Sequence, residues 1–333
     1  MQGITMAKRK TATRSKKSAG SRKSGRSKER EKQKPDKTIG ILHSGRVNRH
    51  TNEMGAFTTA LAQAGYTNKN LTIDYYWSDD DPQKLANNAL TLANDTTLDL
   101  IIAAGGTASV YALLDAQNKT KLSTNVVFTS FSQQNAPAPN MTGVNAQTSG
   151  LDVARMQYLY GLDRTQTTFG VLENQTRPNF DLRTLQNWAD QTGDAGVKLD
   201  RHSVHKNAGE NDQAVVQRID DAFNDWGQKK IKYAQVCADP IFNDHRPEVT
   251  KAANRNGIRI IYQWKEFRKD GAKNNDIVYG TDLIEGYTQA GRMAGQVLDL
   301  SDPTDIATIP VHTLTPQVWL SKTAKRRGRK NRR

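Results

Sequence analysis

From Thr38 onward, short apolar runs alternate with stretches of helix length, and they do so in two consecutive series. In the first series Thr38–His43 (TIGILH), Leu71–Trp77, Asp99–Ala104 (DLIIAA) and Asn125–Ser130 read as strands. Between them Thr51–Ala64, Pro82–Asp95 and Thr107–Gln117 read as helices, with Thr51 or Asn52 as a cap, Gly65 as a stop and Pro82 at a first helical position. The second series places strands at Thr168–Leu172, Val197–Val204, Tyr233–Cys237, Arg259–Tyr262 and Ile277–Thr281. Its helices are expected near Asn179–Gln191, Asp212–Trp226, Arg246–Asn256 and Leu283–Leu300. This alternation predicts an α/β chain of two lobes, each a parallel sheet flanked by helices, with a cleft between them. In such folds ligands sit at the carboxyl ends of strands.

Charge is segregated outside this pattern. Residues 1–37 carry 14 Lys/Arg against Glu29, Glu31 and Asp36, a net +11, and residues 322–333 (KTAKRRGRKNRR) add +8. The total is +14, so the span between them is left at −5. Residues 7–37 and 322–333 contain no Val, Leu, Ile or Phe, and both tails are expected to be disordered. Their cations, among them Lys8, Arg9, Lys10, Lys16, Lys17, Arg22 and Lys23 at one end, are expected to hold polyanions by counterion release. Lys325, Arg326, Arg327, Arg329 and Lys330 do the same at the other end, without base-specific readout. The single cysteine, Cys237, excludes an internal disulfide and reads as a buried, inert thiol. No membrane-length apolar stretch occurs, and no apolar segment follows the basic start as in an export signal, so a cytoplasmic location is expected for the chain as written.

Candidate contacts fall at strand ends. Gly105-Gly106-Thr107-Ala108-Ser109 joins a strand to a helix start, where free amides and the helix dipole suit a carboxylate or phosphate, and Thr107 and Ser109 add hydroxyls. It is neither a Walker loop nor a dinucleotide fingerprint. Ser44 and Gly45 follow the first strand, Asn174 the first strand of the second series, and Asp239 and Asn243 follow Cys237. Phe131 and Trp264 are the aromatic candidates for stacking on an apolar part of a ligand. Asp282, after the strand Ile277–Thr281, is read equally as a partner for a ligand amino group and as an N-cap. His202 and His205 alternate onto opposite faces of a strand, so no metal is expected. No Ser/His/Asp or Cys/His set can be assembled. The expectation is a non-catalytic protein with no cofactor.

Several strings, taken in order, resemble the ABC-transporter substrate-binding proteins of the tryptophan/tyrosine-binding type, with a type I periplasmic-binding-protein fold. IVYGTDLIEGYTQAGRMAGQVL (Ile277–Leu298) is similar to that family's G-x-D-Y-x-x-L-G-x-x-x-G-R-M-A segment, and Asp282 falls on its recurring Asp. IGILHSG, AGYTNKNLTIDYYWSDDD, DLIIAAGGTAS, NVVFTSF and NMTGVN precede it in the family's order, and VWLSKTAKRRG follows, so the likeness spans residues 38–327. SFSQQNAPAP and ADPIFND depart from the pattern in loops that line the cleft, as does the missing export signal. The resemblance implies a first lobe of 38–143 plus 283–306 and a second of 144–282 plus 307–321. Hinge crossings would fall near Gly143–Asn145, Thr281–Leu283 and Ile306–Val311. It also implies an amino-acid-like ligand, aromatic in kind, held by closure of the lobes, and a permease partner if the chain is exported. A different class of reading remains open: a nucleic-acid-associated protein working through its tails, with the body as scaffold or ligand-sensing core.

Overall fold

The computed structural model describes residues 34–320, apart from 122, 134, 149, 175–181, 192–195, 208 and 270–276. Residues 1–33 of the first basic tail and the whole of the second, including Lys8 to Lys23 and Lys325 to Lys330, therefore lie outside the described residues, as do Asn179 and Ser321. The first tail was expected to run to residue 37, but Lys34 pairs with Asp299 and Lys37 begins the first strand.

The first series folds as β1 (Lys37–His43), α1 (Thr51–Gln63), β2 (Leu71–Trp77), α2 (Pro82–Asn94), β3 (Leu100–Ala104), α3 (Thr107–Thr120), β4 (Val126–Phe131) and β5 (Met141–Asn145). Asp81 starts α2 by accepting from the amides of Gln83 and Lys84, with Pro82 behind it, which is why the helix begins there. The second series runs α4 (Asp152–Leu162), β6 (Thr168–Glu173), α5 (Leu182–Gln191), β7 (Lys198–Ser203), α6 (Asp212–Gln228) and β8 (Tyr233–Val236). It continues with α7 (Pro240–Asp244), α8 (Arg246–Asn256), β9 (Arg259–Trp264), β10 (Ile277–Thr281) and α9 (Leu283–Leu298), then β11 (His312–Thr313) and β12 (Gln317–Leu320).

Two six-stranded sheets result. One has the order β11-β5-β4-β3-β1-β2 with every pairing parallel; the other is β12-β10-β9-β8-β6-β7, parallel except for β12 against β10. The central strands β3 and β4 are buried end to end, as a sheet covered on both faces requires; β3 is an unbroken apolar run, and β4 admits only Thr129 and Ser130. In each sheet the strand order reverses beside the first strand of its series, between β1 and β3 and between β6 and β8. A crevice opens at such a reversal, beyond the carboxyl ends of the strands.

Two expectations about the lobes meet different facts. The segment 307–321 was expected wholly in the second lobe, yet β11 pairs with β5 in the first sheet and only β12 joins the second. The third crossing therefore lies between Thr313 and Gln317, later than Ile306–Val311. Asn145, expected beyond the first crossing, still belongs to β5 and pairs with Phe131 and Thr313.

The helix α9 returns from the second sheet and packs on α1 in the first lobe. A Cβ at Gly291 would sit 2.4 Å from the Phe57 carbonyl oxygen, so glycine is what lets the two backbones approach. That approach carries Tyr287, near the start of α9, into the crevice.

Candidate functional site

Beyond the carboxyl ends of β3 and β4, facing those of β8 and β9, lies a partly open cleft. The first lobe supplies Gly105, Gly106, Thr107, Ala108, Ser130 and Ser132. The second lobe supplies Asp239, Pro240, Asn243 and Trp264, while Thr148 and Leu283 lie at the connections.

The first wall is built on the start of α3. Gly105 and Gly106 have φ of +82° and +95°, a conformation glycine reaches at little cost. Gly106 caps α3 without a side chain; the Ser109 amide donates to the Gly106 carbonyl at 3.2 Å, which leaves the Thr107 and Ala108 amides and the helix dipole at the cleft lining. Thr107 Oγ1 donates to Ser132 Oγ (3.0 Å) and accepts from the Ser132 amide (3.1 Å), tying the turn after β4 to this seat. The buried Ser130 hydroxyl lines the same wall and has no hydrogen-bond partner among the described residues.

A hydrogen-bonded chain supports the seat from behind. The Gly45 amide donates to His43 Nδ1 at 2.9 Å, so the neutral ring carries its hydrogen on Nε2, 3.0 Å from the Tyr287 hydroxyl. Gly105 N–H donates to the same hydroxyl at 3.1 Å. Burial, with His50 beside it, holds His43 well below its ordinary pKa, and burial pushes Tyr287 well above the tyrosine range. Both groups therefore stay neutral and fix the backbone of the turn.

In the facing wall Asp239 caps α7 by accepting from the Ile241 amide at 2.9 Å, and Asn174 Nδ2 donates to its other oxygen at 3.3 Å. Asn243 accepts from Arg246, and Trp264, the last residue of β9, lines the cleft while nearly buried in the apolar core.

The structure thus brings Gly106, Thr107, Ala108, Asp239, Asn243 and Trp264 together around one cleft. Asn174 stands behind Asp239 and holds it. Ser44 and Gly45 do not reach the lining: Ser44 Oγ donates to the Gly105 carbonyl (2.9 Å), and Gly45 packs against His50, so both brace the turn. Ser109 Oγ is spent on the Ala104 carbonyl (2.6 Å). Phe131 does not offer a stacking face, because it is wholly buried with its ring 5.0 Å from Phe128 and 5.9 Å from Tyr111. Asp282 acts as the cap of α9, accepting from the Ile284 and Glu285 amides and pairing with Lys265. It lies outside the lining, and of its two readings the cap is the one with partners in the structure.

Sequence reasoning missed His50, Ser130, Ser132 and Tyr287. Ser130 and Ser132 carried a signal, since they flank the end of a strand in the first series; Tyr287 carried none, because only the α1–α9 packing places it. Among the described residues, Asp200, His202 and Asp225 bring possible ligand atoms within 4.8 Å of one another. The Lys229 ammonium already bridges the two carboxylates at 2.8 and 2.6 Å, so the place a metal would take is filled. No helix among the described residues is long and apolar enough to cross a membrane.

No protein-family model matches the chain, and no curated protein matches it in sequence. Solved structures do match in fold. An ABC domain from Streptococcus pneumonia in complex with L-Trp superposes with a TM-score of 0.66 at 18% identity, covering 87% of this chain and 94% of the other. A 5-methylthioribose transporter solute binding protein from Thermotoga lettingae gives 0.61 at 12% identity, covering 86% and 87%. A putative LacI transcriptional regulator from Bacteroides fragilis gives 0.59 at 11% identity, covering 87% and 99%. The chain has the two-lobed type I periplasmic-binding-protein fold, which transporter components and a regulator share.

Proposed function

We propose that this protein is a non-catalytic solute-binding protein that closes its lobes over a small zwitterionic, amino-acid-like ligand. One observation carries the reading: the cleft sets a backbone anion seat with hydroxyls on one side against Asp239 and Trp264 on the other. A ligand carboxylate fits the amides of α3, its amino group fits Asp239, and an apolar or aromatic part fits against Trp264. The solute-binding neighbours support a binding role; the ligands of two of those structures, L-Trp and 5-methylthioribose, differ in chemistry, so the cleft residues and not the fold favour the amino acid.

Calorimetric titration of the full chain with L-tryptophan, and in parallel with myo-inositol, tests this. Binding of L-tryptophan alone, with a raised melting temperature, is expected. Binding of myo-inositol alone overturns the amino-acid reading and keeps the solute-binding one, and binding of neither overturns both.

A second reading rests on the tails, whose +11 and +8 flank a body of net −5. They are proposed to hold nucleic acid without base specificity. Retention on DNA that falls steeply with salt and vanishes on removing 1–37 and 322–333 is expected; retention indifferent to salt rules it out.

A further inference from the structure

The lobes meet at a second place beside the cleft, where the loops after β1 and β2 face α6 and α7. Arg46, in the loop after β1, reaches across this seam. Its Nε lies 3.2 Å from Asp80 Oδ2 within its own lobe, its guanidinium pairs with Asp212 at the start of α6, and its amide donates to Asp244 Oδ2 at 3.2 Å. The side chains of Asp80 and Asp244 are completely enclosed, while that of Asp212 is 48% exposed. In the opposite direction Lys206, from the second lobe, donates to the Asp79 carbonyl at 3.3 Å and pairs with Asp212 Oδ1 at 3.1 Å. Neither Arg46 nor Lys206 lines the cleft. Each lobe places a cation on the other lobe's oxygens.

We propose that Arg46 is a positioning residue: a clasp across the seam that sets the ratio of closed to open lobes, and so tunes affinity through a contact no ligand touches. The sign follows from an asymmetry and not from the net worth of a buried ion pair, which desolvation can cancel. With Arg46 present, closure buries Asp80 and Asp244 around a guanidinium. Without it, closure brings Asp80 and Asp244 together with only the His50 ring, 2.8 Å from Asp244 Oδ1 and kept neutral by burial, in place of that cation, and parting the lobes relieves the approach. Loss of Arg46 therefore acts on the closed form selectively.

The test needs no ligand, so its failure leaves the binding reading standing, and failure of that reading leaves this one standing. Spin labels on the exposed positions Asn87→Cys and Gln217→Cys, one per lobe, report the interlobe distance in the full chain. Cys237 is buried with its thiol pKa pushed well up, so it does not compete for label. The unsubstituted protein is expected at the short distance, and Arg46→Ala is expected to cut the closed-to-open ratio roughly tenfold. Adding Asp80→Asn to Arg46→Ala is expected to restore much of the short distance, because it removes the like charge; a merely structural defect would not be repaired. Should Arg46→Ala fail to fold by circular dichroism, Asp212→Asn, at the half-exposed partner, is expected to move the distribution the same way by a smaller factor. An open distribution in the unsubstituted protein, an unchanged one in the variants, or no recovery with Asp80→Asn overturns the proposal.

Discussion

The two walls of the cleft are made of different material. The first lobe offers backbone amides and small hydroxyls at Gly105, Gly106, Thr107, Ala108, Ser130 and Ser132; the second offers bulk and charge at Asp239, Pro240, Asn243 and Trp264. A seat of backbone is dictated by the turn between β3 and α3 and survives side-chain change. A wall of side chains can be rewritten without disturbing its strands. On the proposed reading, the first wall would fix what part of a ligand is held, and the second would decide which ligand is chosen.

Acid should separate the two most strongly, because the backbone seat has nothing to titrate and the seam beside it does. Burial holds His50 and His245 neutral, each lowered from 6.5 to about 4. The unfolded chain takes up these protons between those limits and the folded one does not, so stability present above pH 6.5 is lost as pH falls toward 4. Asp244, raised by burial to about 6, works in the opposite sense: its contribution is present at low pH and is lost as pH rises through 6. His43 adds to the histidine side and Asp152, raised by burial to about 6, to the carboxylate side, so the informative quantity is the change one histidine makes. Chemical denaturation between pH 6.5 and 4 is expected to show His50→Gln losing about 3 kcal/mol less on acidification than the unsubstituted protein, at 1.36 kcal/mol per pKa unit. An identical pH dependence in the two proteins would falsify the assignment.

Next in size is the backbone seat itself. Gly105 has φ +82°, and a Cβ there would stand 2.4 Å from Ser44 Oγ and 3.0 Å from the Ser44 amide nitrogen. Gly105→Ala is expected to cost roughly 2 kcal/mol, through a left-handed conformation and the displaced Ser44 bond. It should also abolish L-tryptophan binding. On the facing wall Trp264→Leu leaves the backbone alone and is expected to weaken L-tryptophan about tenfold, with a smaller loss for L-alanine, which has no ring to stack. Equal losses for both amino acids in calorimetry would deny that the second wall does the choosing.

The seat was legible because its signal is local: two glycines between an apolar strand and a helix of hydroxyl-bearing residues define turn, dipole and donors within five positions. Trp264, Asp239 and Asn243 were legible for a weaker reason, lying just past strand ends. Phe131 shares that position, yet the pairing of β4 with β5 shifts register between Phe128 and Phe131, where Ser130 takes φ +55°, and this sets both rings in one cluster with Tyr111; a period of two does not foresee such a shift. Asp282 was ambiguous because a cap and a ligand contact ask for the same residue at the same place. Tyr287, His43 and Arg46 depend on contacts between lobes or across α1 and α9, separations of up to 244 residues for the His43–Tyr287 bond, which no local pattern encodes. β11 escaped because two residues are too few to show a period.

The smallest effect is also the most discriminating for the first wall. Thr107 presents its hydroxyl to Ser132 in both senses, donating to Oγ and accepting from the amide, so Thr107→Val removes two bonds while keeping shape and the helix start. The Ser132 amide then loses its acceptor, a cost of about 1 kcal/mol, and the turn after β4 is freed from the seat. If the amides of α3 hold the ligand and the hydroxyl only braces them, L-tryptophan affinity should fall no more than about fivefold, and Thr107→Ser should restore it. A fall of a hundredfold or more would mean that the hydroxyl is itself a contact, and the first wall would then select ligands by side chain as the second is argued to do.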